Sequence, residues 1–262
     1  HSDAEIPLAE AALWISAEAR PYVDVAHWLG EIDRLAQSVA PQINTAESDQ
    51  NKVEILNDFL FDQEGFSGNQ TDYTNPKNSF LDEVLESRKG IPITLSILYL
   101  EVAKRAGIQS VGVGFPGHFL VKVITQDEDI VIDPFFGRVL NNQECETLLH
   151  QVAGQEAVFT QEMLNPTPHS EILQRVLRNL KLVYLREKKL ENALSCSDRI
   201  VLLARSDLSE LRDRGLLYRE LECAGPALSD LERYLAFSPE NLDTDTLTGI
   251  IEELRRRVQR IN

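Results

Sequence analysis

The sequence predicts an α+β domain followed by an all-α domain, and three observations carry that prediction. Apolar residues recur every three or four positions as far as Gly107, then alternate between Val111 and Ile132. From Ile172 onward only helical spacing remains, and the segment matches itself at a shift of 34 residues. Between the two parts lie Pro166 and Pro168, which put the expected division at 1–165 and 166–262. A chain of 262 residues that is 43% hydrophobic has enough apolar material for two cores.

The first stretch carries apolar residues at Ile6, Leu8, Ala12, Leu13 and Ile15, then at Val25, Trp28, Leu29, Ile32 and Leu35. Pro21 interrupts it, so two or three helices are expected before Pro41. Residues 52–61 keep the helical spacing through Val53, Leu56, Phe59 and Leu60, whereas residues 65–76 are rich in turn formers and predict a structured loop. Asn78 and Ser79 are candidate caps for a helix through Leu81, Val84 and Leu85 that stops at Gly90. Pro92 suits only the first turn of the next helix, where its missing N–H would have no partner anyway. Leu95, Leu98, Tyr99, Val102 and Ala106 mark the buried stripe of that helix, expected over 94–106. Strands follow at 111–115, 119–123 and 130–132, with the polar residues 125–129 closing a hairpin. Helices, one buried central helix and then antiparallel strands make an α+β order.

In the second part Leu177 matches Leu211, Tyr184 matches Tyr218, Ala193 matches Ala227, Leu194 matches Leu228 and Arg205 matches Pro239. This pattern, with Tyr in the first helix and small Ala in the second, resembles the tetratricopeptide repeat, whose paired helices need small residues where they cross. Two repeats and a final helix over 243–258 are close to the minimum for a stacked solenoid.

Asp and Glu number 42 against 26 Lys and Arg, a net charge of −16 that opposes both phosphate backbones and anionic lipid surfaces. No nucleic acid or membrane partner is therefore expected. No apolar run approaches the roughly 20 residues that span a bilayer, and no basic-then-apolar leader opens the chain. The opening His-Ser-Asp reads as a tag remnant or trimmed end, so His1 carries no functional weight. Cys145, Cys196 and Cys223 lack any paired spacing, and His27, His118, His150 and His169 are scattered, so neither a disulfide framework nor a metal or other cofactor is signalled. A cytoplasmic, reducing compartment is expected. The charged runs 83–89 and 252–260 read as solvated helix faces.

The segment NPKNSFLDEVLESRKGIPITLS, continued by PGHFLVKV and DIVIDPFFG, resembles the SirB-type family, a transglutaminase-like (papain-like) core joined to tetratricopeptide-type repeats. LRNLKLVYL and ELRDRGLLYREL extend the resemblance over residues 50–260, and the first 50 residues match less distinctly. The resemblance implies a site built from Cys at the start of the central helix, His on a following strand and Asp on the next. In such a site the helix dipole and the imidazole hold the thiol as thiolate, and the carboxylate orients the imidazole. Carried over by motif, His118 takes the histidine place, Asp133 the aspartate place, and the nucleophile place falls on Pro92, which has no thiol or proton to offer.

Thr94 and Ser96 are weak substitutes, displaced along the helix from that place. Cys145 would need the chain after Phe136 to fold back over the site. Taken alone, His118 could be a structural histidine and Asp133 a turn former before Pro134. A hairpin centred at Thr125 and Gln126 pairs the two, whereas one centred at Asp127 slides them by three residues, roughly 10 Å. The expected function is a non-catalytic, regulatory protein that keeps a relic His118/Asp133 cleft and holds a protein or peptide partner there or on its repeat. The alternatives are a cysteine-independent amide hydrolase or acyltransferase using His118 and Asp133, and a purely structural subunit. Oligomeric state is not written in the sequence.

Overall fold

The computed structural model describes residue 3 and residues 6–204, 207–237 and 244–261. His1, the match of Arg205 with Pro239 and the expected helix start at Asp243 lie outside the described residues. The chain divides into two compact units, 1–176 and 177–262. The division falls inside a helix rather than at Pro166 and Pro168, because the first turns of that helix pack on the first unit. Ile172 reaches Gly112 of the sheet, and Arg175 donates to the carbonyl of His118.

The first unit opens with α1 (Leu8–Ala19) and α2 (Val25–Ile43), the latter capped by the Asp24 carboxylate, which accepts the N–H of His27. Pro41 lies in the last turn of α2, where it removes only one rung of the ladder, and does not end the helix. α3 (Asp49–Asn57) runs on into a π-helical turn at Asp58–Gln63. The loop of turn formers then adds the two-residue strand β1 (Ser67–Gly68), followed by a 3-10 turn at Pro76–Ser79 and α4 (Leu81–Ser87). α4 does not stop at Gly90: it leaves through Arg88, in the left-handed region at φ 60°, and Gly90 belongs to β2 (Lys89–Gly90), parallel to β1. Nor do Asn78 and Ser79 cap α4; the Asn78 amide instead holds the carbonyls of Asp72 and Tyr73 in the preceding loop.

α5 (Pro92–Arg105) is the central helix, with Pro92 in its first turn and every residue from Pro92 to Ala103 buried. It packs against α1, α2 and α4 and against the sheet. That sheet is an antiparallel meander in the order β3 (Ser110–Val113), β4 (Leu120–Val123), β5 (Ile130–Asp133) and β6 (Arg138–Leu140). One of its faces carries Val113, Leu120, Val131 and Leu140 against Cys145, Leu148 and Leu149 of α6 (Asn142–Ala153). β6 and α6 are absent from the sequence reading. The capping box of Asn141 and Glu144 is the signal that could have found α6.

α7 (His169–Arg186) crosses the division between the units. The second unit continues with α8 (Leu190–Leu203), α9 (Leu208–Glu220), α10 (Ala224–Phe237) and α11 (Thr244–Ile261). Ala193 and Ala227 are fully buried on the second helix of each pair, and Leu177 and Leu211 are buried on the first. A buried polar cluster ties α7, α8 and α9 together: Lys181 Nζ lies 2.7 Å from Glu210 Oε1, which also accepts the Ser197 hydroxyl at 2.6 Å. Among the described residues no helix is long and apolar enough to cross a membrane.

Candidate functional site

β4 and β5 deliver the two side chains that the sequence singled out. Val121 pairs with Ile132 and Lys122 with Val131, so the register continued by one residue sets Asp133 opposite Leu120. His118 therefore lies two residues beyond the direct partner of Asp133, between the two registers that the hairpin allowed. A diagonal separation of that kind is roughly 7–8 Å between Cα atoms, within reach of an imidazole. Gly117, at φ +66°, turns the chain just before it, and a Cβ there would fall 2.6 Å from the methyls of Val152.

His118 Nε2 and Asp133 Oδ1 are 2.8 Å apart, and the same oxygen accepts the N–H of Phe135 at 3.0 Å. Asp133 is fully buried and His118 is 8% exposed. A carboxylate only accepts, so this pairing puts a ring proton on Nε2, and in the neutral tautomer Nδ1 keeps its lone pair. The second oxygen, Oδ2, is buried and has no hydrogen-bond partner among the described residues.

An aromatic bed surrounds the imidazole. Phe136 stacks on it at 6.3 Å and 12°, Phe135 meets it edge-on at 6.0 Å, and Tyr73 meets Phe135 edge-on at 6.0 Å. Gly68 fixes Phe135: its N–H donates to the Phe135 carbonyl at 2.9 Å, and a Cβ at position 68 would stand 2.5 Å from the ring. Because Gly68 also pairs with Gly90, the turn-rich loop is fastened both to the entry of α5 and to the residues after Asp133. Arg175 Nη2 donates to the His118 carbonyl at 2.6 Å, with the guanidinium 5.3 Å from the centre of the Phe119 ring.

Pro92 is buried in the first turn of α5 and has no group that can attack a carbonyl. Thr94 Oγ1 lies 2.7 Å from the Asn78 carbonyl and accepts the N–H of Ile91 at 3.2 Å, closing the helix start. Ser96 Oγ donates to the Phe119 carbonyl at 3.4 Å. Both hydroxyls are buried and neither bonds the imidazole of His118. Cys145 packs in the apolar layer between α6 and the sheet face of Leu120 and Val131, where β6 and α6 bring the chain back onto the sheet. Its thiol is fully buried, and burial first, then the charges of Glu144 and Asp133, push its pKa up to about 11. Cys196 and Cys223 belong to the second unit, and none of the three cysteines forms a disulfide among the described residues.

Sequence reasoning passed over Arg175, Tyr73 and the Phe135/Phe136 pair. The two phenylalanines follow the aspartate motif directly and could have been read with it. Arg175 stands in a helical stretch and Tyr73 in the loop, with no local signal joining either to the site.

Over residues 26–178 the chain matches the transglutaminase-like superfamily, and over 180–252 it matches the tetratricopeptide repeat. A UPF0162 protein of Xylella fastidiosa is 38% identical across 98% of this chain and 93% of its own length. The UPF0162 protein PA3419 of Pseudomonas aeruginosa is 33% identical across 89% of this chain and 85% of its own length. Protein SirB1 of Salmonella typhimurium is 27% identical, covering 87% of this chain and 85% of the relative. No solved structure matches the chain.

Proposed function

Since the chain belongs to the UPF0162/SirB1 family, with a transglutaminase-like core and a tetratricopeptide region, we propose that it is a non-catalytic, regulatory protein that binds a peptide segment in the relic cleft at His118 and Asp133. The observation that carries the reading is that, among the described residues, no nucleophile bonds the imidazole. Pro92 stands at the nucleophile place, the hydroxyls of Thr94 and Ser96 are engaged with backbone groups, and Cys145 is buried in its neutral form. An imidazole oriented by a carboxylate and bedded on aromatic rings still offers a ligand one polar contact and apolar walls. Tetratricopeptide repeats are associated with protein interaction in general, and a protein partner for the second unit belongs to the same proposal, as does a cytoplasmic setting, in keeping with three cysteines that form no disulfide among the described residues.

The test compares the unmodified protein with His118→Ala on activated acyl esters and a peptide amide panel. The expected result is equal, background-level turnover by both, with no covalent adduct by mass spectrometry and no effect of a thiol-directed inhibitor on peptide binding. Turnover lost in His118→Ala while the fold persists, with an acyl group mapped to Thr94, Ser96 or Cys145, overturns the reading in favour of a cysteine-independent or Cys145-dependent amide hydrolase or acyltransferase.

A further inference from the structure

We propose, building on the reading of this cleft as a peptide site, that Arg175, Tyr73 and His118 form a subsite for the C-terminal carboxylate of a peptide. Three contacts link its members. Arg175 holds the backbone of His118, His118 meets Phe135, and Phe135 meets Tyr73, while the Arg175 charge is near enough to favour the ionised form of the Tyr73 phenol.

Each member leaves polar capacity unused. Arg175 spends one N–H on the His118 carbonyl and has no carboxylate partner among the described residues, although Asp and Glu outnumber Lys and Arg by 42 to 26. Other guanidiniums of the chain, such as Arg20, Arg88, Arg105 and Arg214, face acidic side chains. Burial lowers the pKa of Arg175, the direction expected of a partly desolvated charge without a counter-ion. The Tyr73 hydroxyl has no hydrogen-bond partner among the described residues, and burial raises its pKa, which keeps it a donor. In the neutral tautomer that donates from Nε2 to Asp133, His118 Nδ1 is an acceptor.

Two donors and one acceptor suit one end of a peptide. A guanidinium edge and a phenol take the terminal carboxylate, and Nδ1 takes the amide N–H next to it. Phe135 and Phe136 wall the position, and Arg138, whose guanidinium lies 5.3 Å from the centre of the Phe136 ring, adds positive charge at the rim. A free small carboxylate would use the donors but leave Nδ1 without its proton donor. An amidated peptide would do the reverse. A phosphate dianion is disfavoured, because Arg175 and Arg138 sit in a chain of net charge −16 with the buried Asp133 carboxylate behind the imidazole.

The experiment is a titration of the full isotope-labelled chain, followed through the backbone resonances of Gly117, His118 and Phe135 to Gly137. The ligands are N-acetyl-diglycine, its C-terminal amide, and acetate. The acid is expected to shift these resonances saturably, and the amide and acetate to bind at least tenfold more weakly. Arg175→Lys, which keeps the charge but loses the planar fork, is expected to weaken the acid severalfold with an unchanged spectrum elsewhere, and Tyr73→Phe to weaken it less. Equal binding of acid and amide overturns the carboxylate subsite while leaving the peptide cleft standing. Equal binding of acid and acetate removes the role of Nδ1 and with it the peptide assignment. Absence of any saturable shift at these residues overturns the subsite outright, whereas the non-catalytic reading is decided separately, by the turnover test above.

Discussion

A thiol enters chemistry as its thiolate, and Cys145 is held away from that form although it shares a sheet face with Asp133. Its surroundings are Leu120, Val131, Leu148 and Leu149, and two carboxylates add to the effect of burial. The consequence is a pH dependence with a definite sign. The thiol titrates near 9.0 when unperturbed and at about 11 in the folded chain, so between those values the folded state binds more protons than the unfolded one. Unfolding free energy therefore falls as pH rises from about 9 to about 11 and is untouched by this group below that window. Tyr99, whose pKa burial raises well above its ordinary 10.0, adds a loss of its own at alkaline pH, so the measurement is a difference. Urea midpoints of the parent and Cys145→Ala, taken at intervals from pH 8 to pH 11, are expected to converge as pH rises. Parallel curves would mean that the folded thiol titrates like a free one.

At the start of α5 one hydroxyl does the work of a cap. Ile91 has no side chain able to accept a hydrogen bond, so Thr94 turns back to take the Ile91 N–H and at the same time fastens the helix to the Asn78 carbonyl. Pro92 needs no such partner, having no N–H. Thr94→Val keeps the shape and removes both bonds, leaving a buried N–H and a buried carbonyl unpaired. The expected cost is roughly 1–3 kcal/mol, seen as a lower urea midpoint with an unchanged slope. The same variant separates two roles for Thr94. A nucleophile would lose turnover with little change in stability, while a cap loses stability. The glycine pair Gly68 and Gly90 acts on the other side of this junction, letting the turn-rich loop lie close enough to Phe135 to bond its backbone.

Across the whole molecule the net charge of −16 works against compactness, and many of the ion pairs that offset it are exposed. Pairs such as Arg34 with Glu31 and Arg255 with Glu232 sit at the surface, where such contacts contribute about 0–1 kcal/mol. The buried pair of Lys181 and Glu210 is shielded from salt. Screening should therefore relieve self-repulsion more than it weakens attraction. The melting temperature is expected to rise as sodium chloride goes from about 0.01 M to about 0.15 M, where the Debye length shrinks from about 30 Å to about 8 Å. A fall over the same range, measured by calorimetry, would show that surface ion pairs dominate the balance.

The sequence by itself determined what depends on short-range pattern. The period of its apolar residues separates α5 from the strands, since a helix repeats every 3.6 residues and a strand every two. The 34-residue match marks the paired helices, because Ala193 and Ala227 must be small where helices cross. The ordered motifs bring His118 and Asp133 to notice. Only the tertiary structure decided how those pieces meet. The hairpin register is set by packing on both faces of the sheet, and it puts His118 diagonal to Asp133 rather than opposite it. The packing of Cys145 on the sheet depends on β6 and α6, whose short, mixed pattern carries little periodicity of its own. Arg175 and Tyr73 lie 102 positions apart in the numbering and come near His118 only because a helix packs its arginine on the His118 carbonyl and the Phe119 ring while a loop packs its tyrosine on Phe135. Contacts of that range are chosen by the folded core as a whole, and no local stretch of sequence encodes them.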